Sequence, residues 1–261
     1  MKKITSILLV LFVCFFTMYS SSAMAAGLDK GMVSVTFDDG EANLYSQALP
    51  ALTAYKIPAT AFIVPDRVGD GSHVTWSQLW TLFWTNAWEI GNHGPHVDLS
   101  ALTTEEIING VRNSQNTLIE HGFPNPGALA YPFGAFDESV IDALGAAGCV
   151  SSGRQAWTED EAINKPDTFN RWALNVVSVR SYTTYAQIKA QIDRAVLEKG
   201  FLILVFHSIT SATPADEYEV RASTLRSIAS YLNSQRSLKK IDVVTISDGV
   251  AKMQRFKNLT P

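Results

Sequence analysis

The sequence predicts an α/β fold with a parallel sheet, in one domain. Two observations carry this. Short apolar runs alternate with segments of helical periodicity, as in repeated β–α units. Several of the runs are almost wholly apolar, as strands buried on both faces must be. A third observation, polar clusters at the ends of these runs, bears on function.

The strand candidates are Met32–Phe37, Ala59–Val64, Trp88–Gly91, Ala128–Pro132, Arg171–Val179, Phe201–Phe206 and Ile241–Ile246. Between them, Thr103-Thr104-Glu105-Glu106 forms a capping box that opens a helix to about His121, with Gly122 just past its end. Asp137–Ala147 reads as a second helix, stopped near Gly148. Tyr185–Lys199 reads as a third, ended by Gly200, and Val220–Asn233 as a fourth. Trp76, Trp80 and Trp84 recur every four residues on a further helix. The preferred reading is a stripe facing the core, and the alternative is a platform for stacking sugars.

The chain has 261 residues, 46% of them hydrophobic and 18% charged, enough for a sizeable core and too apolar for a disordered chain. Net charge is −4, and no Lys/Arg-rich block argues for a nucleic-acid partner. Residues 1–25 read as a signal peptide: Lys2 and Lys3, an apolar run from Ile7 to Phe16, then Ala23-Met24-Ala25 as an A-x-A cleavage pattern. The run is short for a membrane span, so the mature chain, 26–261, is expected to be secreted or periplasmic with no span after cleavage. Cleavage removes Cys14 and leaves Cys149 alone, so no internal disulfide forms.

Four strand candidates end in polar clusters: Thr36-Phe37-Asp38-Asp39-Gly40, Gly91-Asn92-His93-Gly94-Pro95-His96, Tyr131-Pro132-Phe133-Gly134 and Phe206-His207-Ser208. In a barrel of parallel strands the carboxyl ends share one face, where the active site sits. Two imidazoles and a carboxylate with an open position make a catalytic divalent-metal site, zinc above others. A second carboxylate acts as general base, and adjacent aspartates aim in different directions, so one can face the metal and the other the water. A separate histidine protonates the leaving group. The reaction class is metal-assisted hydrolysis of an amide or ester.

These clusters resemble the motifs of polysaccharide deacetylases with a NodB homology domain, carbohydrate esterase family 4, from about Met32 to Met253. The resemblance implies a distorted, incomplete β/α barrel. It gives Asp38 as catalytic base, His207 as general acid, and Asp39, His93 and His96 as ligands of Zn2+, or of Co2+ or Ni2+. It puts the backbone N–H of Phe133, in the Pro132-Phe133-Gly134 turn, at the oxyanion, and Leu204 in the acetyl pocket. The family's histidines are usually four residues apart, whereas His93 and His96 are three apart. Asn92 and His96 have the longer spacing, but an amide is a poor zinc ligand. Ala130 stands where many members have the arginine that braces the base, and Arg171 is the expected substitute. The family's fourth motif has no clear counterpart. Trp157 is either a wall of the sugar groove or loop packing, and Thr210–Glu219 is an expected groove wall.

The implied function is an exported, metal-dependent deacetylase acting as a monomer on N-acetylated polysaccharide or oligosaccharide: chitin oligomers, peptidoglycan or poly-N-acetylglucosamine. The alternatives are an O-acetyl (xylan) esterase using the same site, and a catalytically weak carbohydrate-binding protein on the same fold. No phosphate-binding glycine loop and no G-x-S-x-G nucleophile elbow is present.

Overall fold

The structure is a computed structural model that describes residues 28–158 and 162–259. The expected signal peptide lies outside the described residues. The strands are β1 (Gly31–Phe37), β2 (Thr60–Ile63), β3 (Glu89–Asn92), β4 (Ala128–Ala130), β5 (Ser152–Arg154), β6 (Ile163–Asn164), β7 (Val177–Ser178), β8 (Phe201–Phe206), β9 (Ser208–Thr210), β10 (Glu219–Arg221) and β11 (Ile241–Val243). The helices are α1 (Leu49–Thr53), α2 (Trp76–Trp80), α3 (Thr104–Glu120), α4 (Glu138–Ala147), α5 (Tyr185–Glu198), α6 (Ala222–Ser237) and α7 (Ile246–Leu259).

The main sheet runs β5-β4-β3-β2-β1-β8-β6, with β11 beside β1 and β7 beside β8. All its pairings are parallel except β6 with β8. The sheet curls until the segment after β6 reaches β5. There Leu174 bridges Arg154, and Gly153 N–H donates to the Arg171 carbonyl at 2.8 Å. The result is the curled, incomplete barrel that the resemblance implied.

The apolar runs are buried on both faces, as their composition requires. Along β8, Leu202, Leu204 and Phe206 join the core packed by α1, α5 and α6, whereas Phe201, Ile203 and Val205 join a second core under α7. Three helices open with reciprocal capping boxes, at Thr75/Gln78, Thr103/Glu106 and Thr184/Gln187, each satisfying two otherwise orphaned N–H groups. Glu89, at the start of β3, accepts hydrogen bonds from Thr60 Oγ1 (2.9 Å), Ser247 N–H (3.1 Å) and the Ser247 hydroxyl. It thereby ties the sheet's lower edge to the first turn of α7.

Two expectations are corrected. Arg171–Val179 is strand only at Val177–Ser178, because its first half is spent closing the barrel seam through a single bridge, Leu174 to Arg154. Of the tryptophan stripe only Trp76 packs against the core: Trp80 is 47% and Trp84 71% exposed, and Leu79 and Leu82 take the buried positions. The helix widens to a π turn at Thr81–Thr85, which breaks the four-residue register. Trp76 also stacks on His121 at 3.6 Å between centroids, and Trp80 Nε1 donates to the His121 carbonyl at 2.6 Å. Trp76 and Trp80 thereby clasp the end of α3.

Candidate active site

Strand register alone brings the chemistry together. Phe37 of β1 is level with Phe206 of β8, so Asp38 and His207 leave adjacent strand ends. Ile63 is level with Asn92, which delivers His93 at the end of β3, and Ala130 is level with Arg154 at the ends of β4 and β5. These carboxyl ends line one cleft with a cavity volume of ≈ 460 Å³. Around it stand Asp38, Asp39, His93, His96, Tyr131, Phe133, Trp157, Arg180, His207, Asp216 and Tyr218, among others.

The two aspartates are divided by backbone geometry. Asp39 has φ +66°, in the left-handed region, and Gly40 follows at +78°. This turn sends the Asp38 carboxylate inward and that of Asp39 across to the histidines. His96 (φ +48°) and Phe133 (φ +57°) are held in the same region. Such conformations in non-glycine residues cost on the order of 1–3 kcal/mol each and cluster at functional sites. The strain sits at three of the loops that line the cleft.

Asp38 is 2% exposed, and Arg154 Nη2 donates to its Oδ1. Arg154 is fully buried, lies over the Phe62 ring at 4.7 Å, and donates from Nη1 to the Gln155 carbonyl at 2.8 Å. Gly91 leaves room for that ring, since a Cβ there would stand 2.7 Å from it. The other oxygen of Asp38, Oδ2, lies 3.8 Å from His207 Nε2. Arg171 is not the bracing arginine. It is exposed and lies over Trp172 at 4.9 Å, because its strand was spent on the seam.

Asp39 Oδ1 faces His93 Nε2 at 3.5 Å and His96 Nδ1 at 3.8 Å. His93 Nδ1–H donates to the Ala130 carbonyl at 2.9 Å, which aims Nε2 at Asp39. His96 Nδ1 is buried with no hydrogen-bond partner. Two ligands about 2.1 Å from one tetrahedral zinc stand roughly 3.4 Å apart, so both Asp39–imidazole edges suit a shared cation. The triangle is open along the His93–His96 edge, where ring centroids are 6.4 Å apart. Among the described residues no three His, Cys, Asp or Glu side chains close into a ready-made cage. The donor set fits a divalent metal, with Asp39 as its common corner. Asn92 is excluded as a ligand: it is fully buried, donating to the Val111 carbonyl and accepting from Gly94 N–H.

Burial alone would raise Asp39. The hydrogen bond from His93 and the charges of His93, His207 and His96 outweigh it and hold the carboxyl well below its usual range. His93 is pushed up: burial opposes its charge, but the hydrogen bond to Asp39 and the charges of Asp38 and Asp39 win. His207 is pushed down, chiefly by burial, with Arg154 and Arg180 adding to it against the two aspartates.

Other expected residues divide. Phe133 lines the cleft at 55% exposure, its ring 4.8 Å from that of His96, and Trp157 lines it at 54%. Leu204 does not line it, because it points to the helix-facing core and is fully buried. Pro132 is buried behind the wall, where it starts the turn that aims Phe133. The Thr210–Glu219 segment contributes Asp216 and Tyr218. Arg154, Arg180 and Tyr218 were not singled out in the sequence, and Tyr131 stood in a strand-end cluster without a role of its own. The only signal for Arg180 was its place just past the apolar run Val176–Val179.

Residues 25–151 match the family described as polysaccharide deacetylase. A stretch of 133 residues is 26% identical to a poly-beta-1,6-N-acetyl-D-glucosamine N-deacetylase of Staphylococcus aureus, covering 46% of this chain and 46% of that protein. The chain thus spans about half the length of the curated relatives it matches. Among solved structures, a family 4 acetyl xylan esterase from Clostridium thermocellum in complex with a cobalt ion superposes with a TM-score of 0.56 at 20% identity. That match covers 83% of this chain and 89% of the other. A peptidoglycan deacetylase from Bacillus subtilis superposes at 0.55 and 17% identity, over 89% and 94%. Residues 25–151 thus carry the sequence pattern of the polysaccharide deacetylase family, and over most of its described length the chain has the fold of the family 4 esterase and deacetylase structures.

Proposed function

We propose that the chain is an exported, metal-dependent deacetylase that hydrolyses N-acetyl groups of glycans containing N-acetylglucosamine. The observation that carries this reading is the division of the two adjacent aspartates, Asp38 held by Arg154 and Asp39 turned to His93 and His96. The leader-like residues 1–25 support export, and the Staphylococcus aureus relative supports an N-acetylated glycan.

Asp39, His93 and His96 would hold a divalent cation, zinc above others. When bound, it supplies a Lewis acid that lowers the pKa of water and polarises the acetyl carbonyl. Asp38, fixed in direction by Arg154, takes the proton from the attacking water. The Phe133 N–H, at the head of the strained turn, helps hold the charge that develops on the carbonyl oxygen. His207 gives its proton to the leaving nitrogen. Water adds to the acetyl carbon, the C–N bond breaks, and acetate and a free amino sugar leave.

The test is acetate release by the purified mature protein from N-acetylglucosamine oligomers and from acetylated xylan, each with added zinc and with a chelator. Chelator-sensitive release from the oligomers is the expected result. Release from xylan alone would replace the reading by an O-acetyl esterase, which needs only a different leaving group. Release from neither would replace it by a binding protein on this fold.

A further inference from the structure

His207 is the single residue between two sheets. β8 ends at Phe206 in the main sheet, and β9 begins at Ser208, paired with β10 in a separate two-stranded sheet. The ring has little of its own to fix it. A catalytic imidazole is ordinarily oriented by a hydrogen bond at its second nitrogen, but His207 Nδ1 is buried without a partner. Its edge-to-face contact with Tyr218, at 4.9 Å, comes from the residue that leads into β10. Where Nε2 points is therefore set by how the chain is held on either side.

Before His207 the hold is backbone: Asp38 N–H donates to the Phe206 carbonyl at 2.9 Å, continuing the β1–β8 ladder. After it the hold is a side chain. Asn43 Oδ1 accepts from Ile209 N–H at 3.0 Å, and Asn43 Nδ2 donates to Ser208 Oγ at 2.5 Å and to Glu41 Oε2 at 3.1 Å. The carboxamide thus supplies the next rung after the main chain of β1 has turned away at Asp39 and Gly40. Its orientation is fixed, since only the oxygen can face an N–H and only the nitrogen can face a carboxylate. Ser208 and Ile209 are buried, which shields the two bonds from water. The loop that carries Asn43 is anchored in turn. Ala42 N–H donates to the Ser72 carbonyl and Val74 N–H to the Gly40 carbonyl, both at 2.9 Å.

We propose that Asn43 is the positioning residue of the general acid. It ties the small sheet to the loop that carries both aspartates, so that His207 Nε2 stays beside Asp38 Oδ2, 3.8 Å away. The proposal rests on the deacetylase reading for the role of His207. Glu41 and His207 line the cleft and Asn43 stands behind them, so Asn43 acts through His207 and not on the substrate.

The test compares the zinc-loaded wild type, Asn43→Ala and Asn43→Asp/Glu41→Gln on two substrates. One is tetrameric N-acetylglucosamine, whose leaving nitrogen must receive a proton. The other is 4-nitrophenyl acetate, whose phenolate leaves without one, so that a well-placed acid matters little. Asn43→Ala should lose about ten- to hundredfold in kcat on the tetramer with KM within about twofold, as a small displacement of a catalytic group does. Its chelator-sensitive rate on the ester should stay within about threefold of wild type, and it should keep zinc through dialysis. The paired variant exchanges donor and acceptor between residues 41 and 43, keeps the acceptor for Ile209 N–H, and should recover most of the lost kcat. Should Asn43→Ala not fold, Ser208→Ala, which deletes one of the bonds, should show the same amide-selective fall to a smaller extent. An equal fall on both substrates, a loss of zinc, or an unchanged kcat on the tetramer overturns the proposal and leaves the deacetylase reading standing. A wild type that cleaves the ester but releases no acetate from the tetramer overturns the deacetylase reading, and with it the role given to His207.

Discussion

Arg154 and Asp38 form a hydrogen-bonded ion pair with side chains 0% and 3% exposed, between the ends of two strands that are not neighbours in the sheet. Neither charge has water to fall back on. Removing one partner leaves the other buried and uncompensated, which typically costs about 3–5 kcal/mol. Arg154→Met and Asp38→Asn should each lower unfolding stability by roughly that amount. The double variant should be less destabilised than the sum, because it buries no orphaned charge. Urea denaturation of the four proteins closes the cycle. Strict additivity would mean that the two side chains are not coupled. Arg171→Ala, at the residue expected from the sequence to do this bracing, should leave turnover within about twofold of wild type and stability within about 0.5 kcal/mol.

The split between the aspartates makes a second prediction. Asp38→Asn should abolish turnover, by roughly 10²–10⁴-fold for a lost general base, yet retain zinc through dialysis. Asp39→Asn should lose the metal as well, because Asp39 is the corner both imidazoles face. Zinc content by elemental analysis separates the two. Loss of metal from Asp38→Asn in a folded protein would show that the roles are not divided as the turn at Asp39 implies.

A third prediction concerns how the floor of the cleft is held. Gly153 packs so closely under Tyr131 that an added Cβ would stand 2.3 Å from its hydroxyl oxygen, which donates to the Trp172 carbonyl at 2.9 Å. Gly153 also precedes Arg154 on β5. Gly153→Ala must displace either the Tyr131 ring or the strand that presents Arg154. Overpacking of this kind costs typically about 1–3 kcal/mol. Turnover should fall with it, mainly in kcat. Unchanged melting and unchanged kcat would mean that the ring moves freely.

That Asp38, Asp39, His93, His96 and His207 share one cleft was legible because they sit in strand-end motifs whose spacing survives as spatial proximity, through the register of β1, β2, β3 and β8. Arg154 was not legible. Ser152-Gly153-Arg154 has little strand propensity, and an arginine outside an apolar run reads as a surface residue. Only the curl of the sheet, which brings β5 round to face β1 across the barrel, makes it internal. Arg171 attracted attention by preceding an apolar run, but that run was needed to close the seam. At Trp84 the tryptophan stripe failed for a local reason: a π turn over Thr81–Thr85 shifts the helical phase, and periodicity assumes a constant one. Tyr218 and Arg180 come from loops more than thirty residues apart, and nothing in either segment alone announces the other.

Glu89 supplies the last prediction. It lies at the opposite end of the sheet from the cleft, in hydrogen bonds with Thr60 and Ser247. Burial pushes its carboxyl above the usual range, against the lowering effect of those donors, and the charge of Asp248 adds to the rise. A carboxyl raised on folding binds its proton more tightly in the folded state. Its stabilising contribution is therefore full below the unfolded-state value and is lost as pH rises through the folded-state value. The wild type should lose melting temperature as pH climbs from about 4.5 towards neutrality, over and above the trend set by other groups. Glu89→Gln has nearly the same shape, keeps an acceptor for Ser247 N–H and cannot ionise. Its melting temperature should depend less steeply on pH in this range and should exceed that of the wild type at the upper end. Parallel melting profiles for the two proteins would show that Glu89 ionises alike in the folded and unfolded chains, with the hydrogen bonds from α7 compensating fully for burial.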